Sequence, residues 1–155
     1  MALFEAIDER RTQANVRSFF EHDFPKIQQQ AHVSFVDVKS PIISGMPSAG
    51  HYDNVNDEKY TMHAQAIQYL NAVLDACRGM DSIHRLMIEL RYFKRLKWLA
   101  IEEQAHISKR RGQELLNESL MSFAFGFADT MDLRVFESDV TGFALPDVFK
   151  HSKNI

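Results

Sequence analysis

The sequence predicts an all-α protein, on three observations. Apolar residues recur at helical spacing over several segments. Capping residues such as Asp57 and Ser108 stand just ahead of two of those segments. Breakers collect in one long connection, 33–57, which holds Pro41, Gly45, Pro47 and Gly50. The 155 residues are 45% hydrophobic and 25% charged, the balance of a globular chain. Twelve Phe, four Tyr and one Trp supply ample material for a core.

The first amphipathic helix is expected over 12–21, with Val16, Phe19 and Phe20 on its apolar face. Phe24-Pro25 is expected to break it, and Pro25 suits the first turn of a second short helix through Ile27 and Ala31. The connection 33–57 is long for a compact domain, so part of it is a candidate interaction segment.

Asp57 then reads as the cap of a helix over 58–78. Tyr60, Ala64, Ile67, Leu70, Leu74 and Cys77 form one apolar stripe. Met62, Ala66, Tyr69, Val73 and Ala76 form a second beside it. So wide an arc exceeds what one packing partner requires. Two readings stay open: a helix buried on two sides within the subunit, or one side in the core and one in a homodimer. Met62, Ala66, Tyr69 and Val73 are the candidate dimer residues. Gly79 is expected to end the helix as a left-handed cap. Residues 1–80 thus form an N-terminal helical region.

Residues 81–131 form the second region. Asp81 or Ser82 can cap a helix that buries Ile83, Leu86, Leu90 and Phe93 and turns Arg85, Arg91, Lys94 and Arg95 outward. A short helix follows over 98–105, and then a long one capped by Ser108, with Leu116, Leu120, Phe123, Phe127 and Met131 apolar. The tail 132–155 is weakly patterned, with Gly142 and Pro146 as breakers. Its Phe136, Phe143, Leu145, Val148 and Phe149 could dock on the body or cover a partner.

The net charge is -3, yet its distribution is uneven. Residues 1–80 hold 7 basic and 10 acidic residues. Within 91–111, Arg91, Lys94, Arg95, Lys97, Lys109, Arg110 and Arg111 face only Glu102 and Glu103. A local basic patch in an acidic chain is an electrostatic footprint for a polyanion. The three helices over 83–95, 98–105 and 109–130 match a helix-turn-helix with its supporting helix, and the turn 105–108 is short enough to cross two helices steeply. In that motif the second helix enters the major groove of double-stranded DNA by its N-terminus. Ser108 would satisfy amides there, and Lys109, Arg110 and Arg111 occupy the first turn. Gln113 and Asn117 lie one and two turns on, and their amides suit adenine edges. The competing reading is a solvated basic face on an ordinary helix hairpin.

The chain resembles the autolysin-regulator (ArpU) family of phage transcriptional regulators over about residues 4–130. The residues that carry the resemblance are Asn15-Val16-Arg17-Ser18-Phe19-Phe20 followed by His22-Asp23-Phe24-Pro25, Lys39-Ser40-Pro41 with Gly45-Met46-Pro47, Leu90-Arg91-Tyr92, and Leu120 with Phe123-Ala124. The resemblance implies a small helical DNA-binding regulator of late phage operons, including packaging and lysis genes. It also implies a C-terminal part similar to the promoter-binding domain of sigma factors. Ser108 matches the cap of the recognition helix, Lys109, Arg110, Arg111 and Gln113 its exposed positions, and Leu115 and Leu120 its packing positions. Three residues depart from the pattern: Glu102 replaces a small Ala, His106 the turn Gly, and Gly112 a packing aromatic or aliphatic residue. These departures are expected to alter the angle between the helices.

Other classes find less support. The seven His are scattered, none forms His-Glu-x-x-His or pairs with cysteine at zinc spacing, and no phosphate loop or nucleophile elbow occurs. No enzyme activity, metal or cofactor is expected. The lone Cys77 lies on an apolar stripe, where a buried thiol is expected rather than a nucleophile, and a chain with one cysteine suits a reducing compartment. The opening Met-Ala-Leu-Phe-Glu turns charged by Asp8, which argues against a signal peptide, and no window is apolar enough to span a bilayer. The expected location is the cytoplasm of the bacterial host. The main rival is a protein-interaction module that binds host RNA polymerase, or another host or phage factor, through the same helices.

Overall fold

The computed structural model describes residues 3–34, 36–38 and 57–138, with the backbone alone for 57–60. The described residues are helical, as expected, joined by short turns and one isolated antiparallel bridge between Ile7 and Phe136. Most of the connection 33–57 and the tail beyond 138, with Phe143, Leu145, Val148 and Phe149, lie outside the described residues.

Helix α1 spans Glu9–Ser18, and the Asp8 carboxylate caps it by accepting from the Arg11 N–H at 3.0 Å. The expected break at Phe24-Pro25 does not occur. A π-helical turn, Phe19–Asp23, carries the chain in helical conformation into α2, Phe24–Ala31. The Phe24 N–H bonds the Phe19 carbonyl five residues back, so one extra residue sits in the turn. That wider turn lies just ahead of Pro25, whose ring would crowd the carbonyl four residues back in a regular helix. Helix α2 ends at His32, which is left-handed at φ 57°, while the Val33 N–H reaches back to the Gln28 carbonyl at 3.0 Å.

Helix α3 spans Asp57–Arg78. It ends where Gly79 was expected to stop it, although Gly79 is not left-handed. Ile67, Leu70, Leu74 and Cys77 of the first stripe are buried, and so are Ala66, Val73 and Ala76 of the second. Burial on two sides within the subunit therefore accounts for most of the arc. Ala66 and Val73 are removed from the candidate dimer face, because they are already covered by their own chain. Met62 is 48% exposed and Tyr69 half-buried. Burial pushes the Cys77 thiol up to about 12, so it stays neutral and unreactive at physiological pH.

Helix α4, Ser82–Ile88, also runs into a π turn, Glu89–Phe93. Its buried face is Met87, Ile88, Leu90, Tyr92 and Phe93. Ile83, expected inside, is 39% exposed because it sits in the first turn, ahead of the packed part of the helix. The two π turns meet through their aromatic pairs. Phe20 stacks on Tyr92 at 4.7 Å between ring centroids, and Phe24 on Phe93 at 5.4 Å.

Helix α5 spans Trp98–Ala105, and α6 spans Lys109–Phe127. Helix α6 is the central element and touches α1, α3, α4 and α5. It buries Leu115, Leu116, Leu120, Phe123, Ala124 and Phe127 against them. After α6, residues 132–138 dock on the start of α1. The Asp8 N–H donates to the Val135 carbonyl at 2.8 Å, the Glu137 N–H to the Ala6 carbonyl at 2.9 Å, and the buried Thr12 hydroxyl accepts from the Val135 N–H at 2.9 Å. The Arg134 guanidinium holds the Asp132 carboxyl below the usual carboxylate range. None of the described helices is long and apolar enough to cross a membrane.

Candidate nucleic-acid interface

The first turns of α6 collect the basic residues that the sequence singled out. Ser108 is extended, and its hydroxyl accepts from the Arg111 N–H at 3.1 Å, a conventional N-cap. Lys109, Arg110, Arg111 and Gln113 are all exposed. Arg110 is 93% exposed, so none of its length is committed to holding the fold. Glu114, which sequence reasoning passed over, lies 3.3 Å from Arg111 and 3.8 Å from Arg110. Its spacing three and four residues on from these cations is the signal that would have found it. Such exposed pairs are weak and open readily to a competing phosphate.

The other candidates separate into free and engaged groups. Lys94 and Lys97 are exposed in the link between α4 and α5. Arg91 is half-buried, lies over the Trp98 ring at 5.2 Å and donates to the Leu96 carbonyl at 3.0 Å. Arg95 is left-handed at φ 56° and donates to Gln28 Oε1 at 2.7 Å, which ties the link to α2. These two arginines hold the turn together. Asn117 is half-buried, and its Oδ1 accepts from Arg17 of α1 at 2.8 Å. Burial pushes the Tyr92 pKa up, and the nearby Arg17 charge pulls against it. No local signal in the sequence joins Arg17 to Asn117, because the two are 100 residues apart.

The three departures from the family pattern resolve as one unit. His106 adopts the left-handed conformation itself, φ 57° and ψ 43°, so the turn survives without glycine. The Glu102 carboxylate reaches across the turn and accepts the Lys109 N–H at 2.6 Å. It therefore links α5 to the start of α6. At Gly112 an added Cβ would stand 2.7 Å from Trp98 Cζ3 and 3.3 Å from Ile107 Cδ1. The bulk absent from α6 is supplied by Trp98 of α5.

This arrangement gives a direct test of the α5–α6 contact. Gly112→Val is expected to destabilise the protein by about 1–3 kcal/mol through overpacking. On a Trp98→Ala background the same change should cost much less, because the ring it strikes is gone. Urea unfolding of the four proteins checks the coupling. Trp98 is the single tryptophan, so its emission in Gly112→Val reports the displaced ring directly. Additive costs would show that the two residues do not meet.

Among the described residues no three His, Cys, Asp or Glu side chains converge to hold a metal ion. The chain is similar to a protein of Enterococcus hirae named "Putative autolysin regulatory protein ArpU". The two are 26% identical over 129 residues, which is 80% of this chain and 91% of that protein. This likeness supports the family resemblance drawn from the residues. No protein-family profile matches the chain, and no solved structure does.

Proposed function

We propose that this chain is a DNA-binding transcriptional regulator that reads duplex DNA with the first turns of α6. The observation that carries the proposal is the uncovered end of that helix. Lys109, Arg110, Arg111 and Gln113 project from a capped N-terminus, and α4 and α5 support the helix from behind. Helices α5 and α6 with their turn would act as a helix-turn-helix, placing α6 in the major groove. Cations at this end would meet phosphates, and Gln113 a base edge. Lys94 and Lys97 would add phosphate contacts from the α4–α5 link. The similarity to a protein named as a regulator supports a regulatory role, and the family resemblance points to promoters of late phage operons that serve packaging and lysis.

A second reading has an observation of its own. Leu99 on α5 is 69% exposed and Phe125 on α6 is 53% exposed, two large apolar side chains open to a partner. In this reading the chain binds host RNA polymerase or another factor, with or without DNA. Fluorescence anisotropy on a late-promoter duplex and a scrambled duplex, over several salt concentrations, tests the first reading. Binding that weakens steeply with salt and prefers the promoter is expected. No binding to either duplex at low salt would favour the protein partner.

A further inference from the structure

We infer that the face formed by α2 and α3 around Tyr69 is an interface with a second copy of this chain. Tyr69 and Gln65 form a ridge on α3 with a shallow groove on each side. One groove, of about 190 Å³, lies between Lys26, Ile27 and Gln30 of α2 and Met62 of α3. The other, of about 340 Å³, is lined by Gln68 and Ala72 of α3 together with Thr130. A ridge beside a groove is self-complementary. In a two-fold pair each ridge seats in the partner's groove, and every contact occurs twice.

The charge on this face favours a second copy over an unlike partner. A quarter of the chain is charged, yet among the described residues the lining of both grooves carries one charge, Lys26. A face opposed to its own copy must avoid like charges across the axis. A face made for a charged partner would carry the opposite sign. Three of the uncharged polar residues here are glutamines, Gln30, Gln65 and Gln68, whose amides hold both donors and an acceptor and so can bond their own kind. Met62, 48% exposed, and the half-buried Ile27 and Tyr69 provide apolar surface between them. Two copies would also present two α6 helices to one DNA site, although the interface does not depend on DNA binding.

Sedimentation equilibrium of the full chain over a wide concentration range tests the inference. The expected mass rises from 17.9 kDa toward twice that value. Gln65→Arg sets like charges at the ridge on an exposed position, and should raise the dimer dissociation constant at least tenfold with an unchanged melting temperature. Tyr69→Asp should do the same or more, and Gln65→Arg guards against misreading it if it unfolds. A wild type that stays at 17.9 kDa at every concentration overturns the inference, whether another segment of the chain or a different protein covers the face. So does a dimer that forms equally well in both variants, since its interface would lie elsewhere.

Discussion

Phe123→Ala is expected to lower the free energy of unfolding by about 3–5 kcal/mol. The Phe123 side chain is fully buried in the middle of α6. Its ring lies 4.7 Å from Phe20, 4.9 Å from Phe127 and 6.0 Å from Phe19. Phe20 in turn stacks on Tyr92, so Phe123 joins α6 to both π turns. Truncation removes the transfer energy of the ring and leaves a cavity walled by rigid aromatics, which cannot collapse easily. Each aromatic pair adds about 0.5–1.5 kcal/mol beyond its buried area. For a domain with a total stability of about 5–15 kcal/mol this is a large fraction. Phe125, two residues on, provides the control. It is 53% exposed, and the Arg134 guanidinium lies 5.9 Å from its ring. Phe125→Ala should cost about 1 kcal/mol or less. Urea midpoints compare the two. Equal losses would contradict the placement of Phe123 at the centre of the core.

The contrast between those residues was legible in the sequence, because burying one face of a helix forces apolar residues into a 3.6-residue period. Leu116, Leu120, Phe123 and Phe127 obey it, and all are buried. The π turns were not legible. Their apolar spacing differs little from that of an α-helix, and what stands across the extra residue is another aromatic pair 72 residues away, Phe20 against Tyr92. The second stripe on α3 illustrates a related ambiguity. Periodicity shows that Ala66 and Val73 must be covered, but not whether their own chain or a second copy covers them. The binding end was half legible. Composition placed Lys109, Arg110 and Arg111 on one helical turn. It could not distinguish them from Arg91 and Arg95, whose partners, Trp98 and Gln28, come from tertiary packing. Nor could local spacing reveal that Trp98 fills the space above Gly112, since that requires the crossing of two helices.

Lys109→Glu with Arg110→Glu is expected to abolish most duplex binding while leaving the fold intact. Both side chains are exposed. The caps of α6 come from Ser108 and Glu102, which the change leaves in place. Carboxylates at a helix N-terminus are themselves favourable by about 0.3–1 kcal/mol. That gain offsets the loss of the exposed Arg110–Glu114 pair, worth about 0.2–0.5 kcal/mol. An unchanged melting temperature is therefore expected, so lost affinity cannot be attributed to unfolding. Each phosphate contact adds about -0.9 to the slope of log K against log salt, so losing two flattens it by roughly two units. The weakening should be alike on promoter and scrambled duplexes, because phosphates carry no sequence. Gln113→Ala should behave differently, changing discrimination by about 1–3 kcal/mol with little loss of non-specific affinity. Asn117→Ala is expected to affect stability rather than sequence choice, because its side chain is held by Arg17. Anisotropy titrations of these variants at several salt concentrations, alongside thermal melts, distinguish the roles. A double charge reversal that leaves affinity and salt slope unchanged on both duplexes would mean that α6 does not read DNA, and the protein-partner reading would take its place.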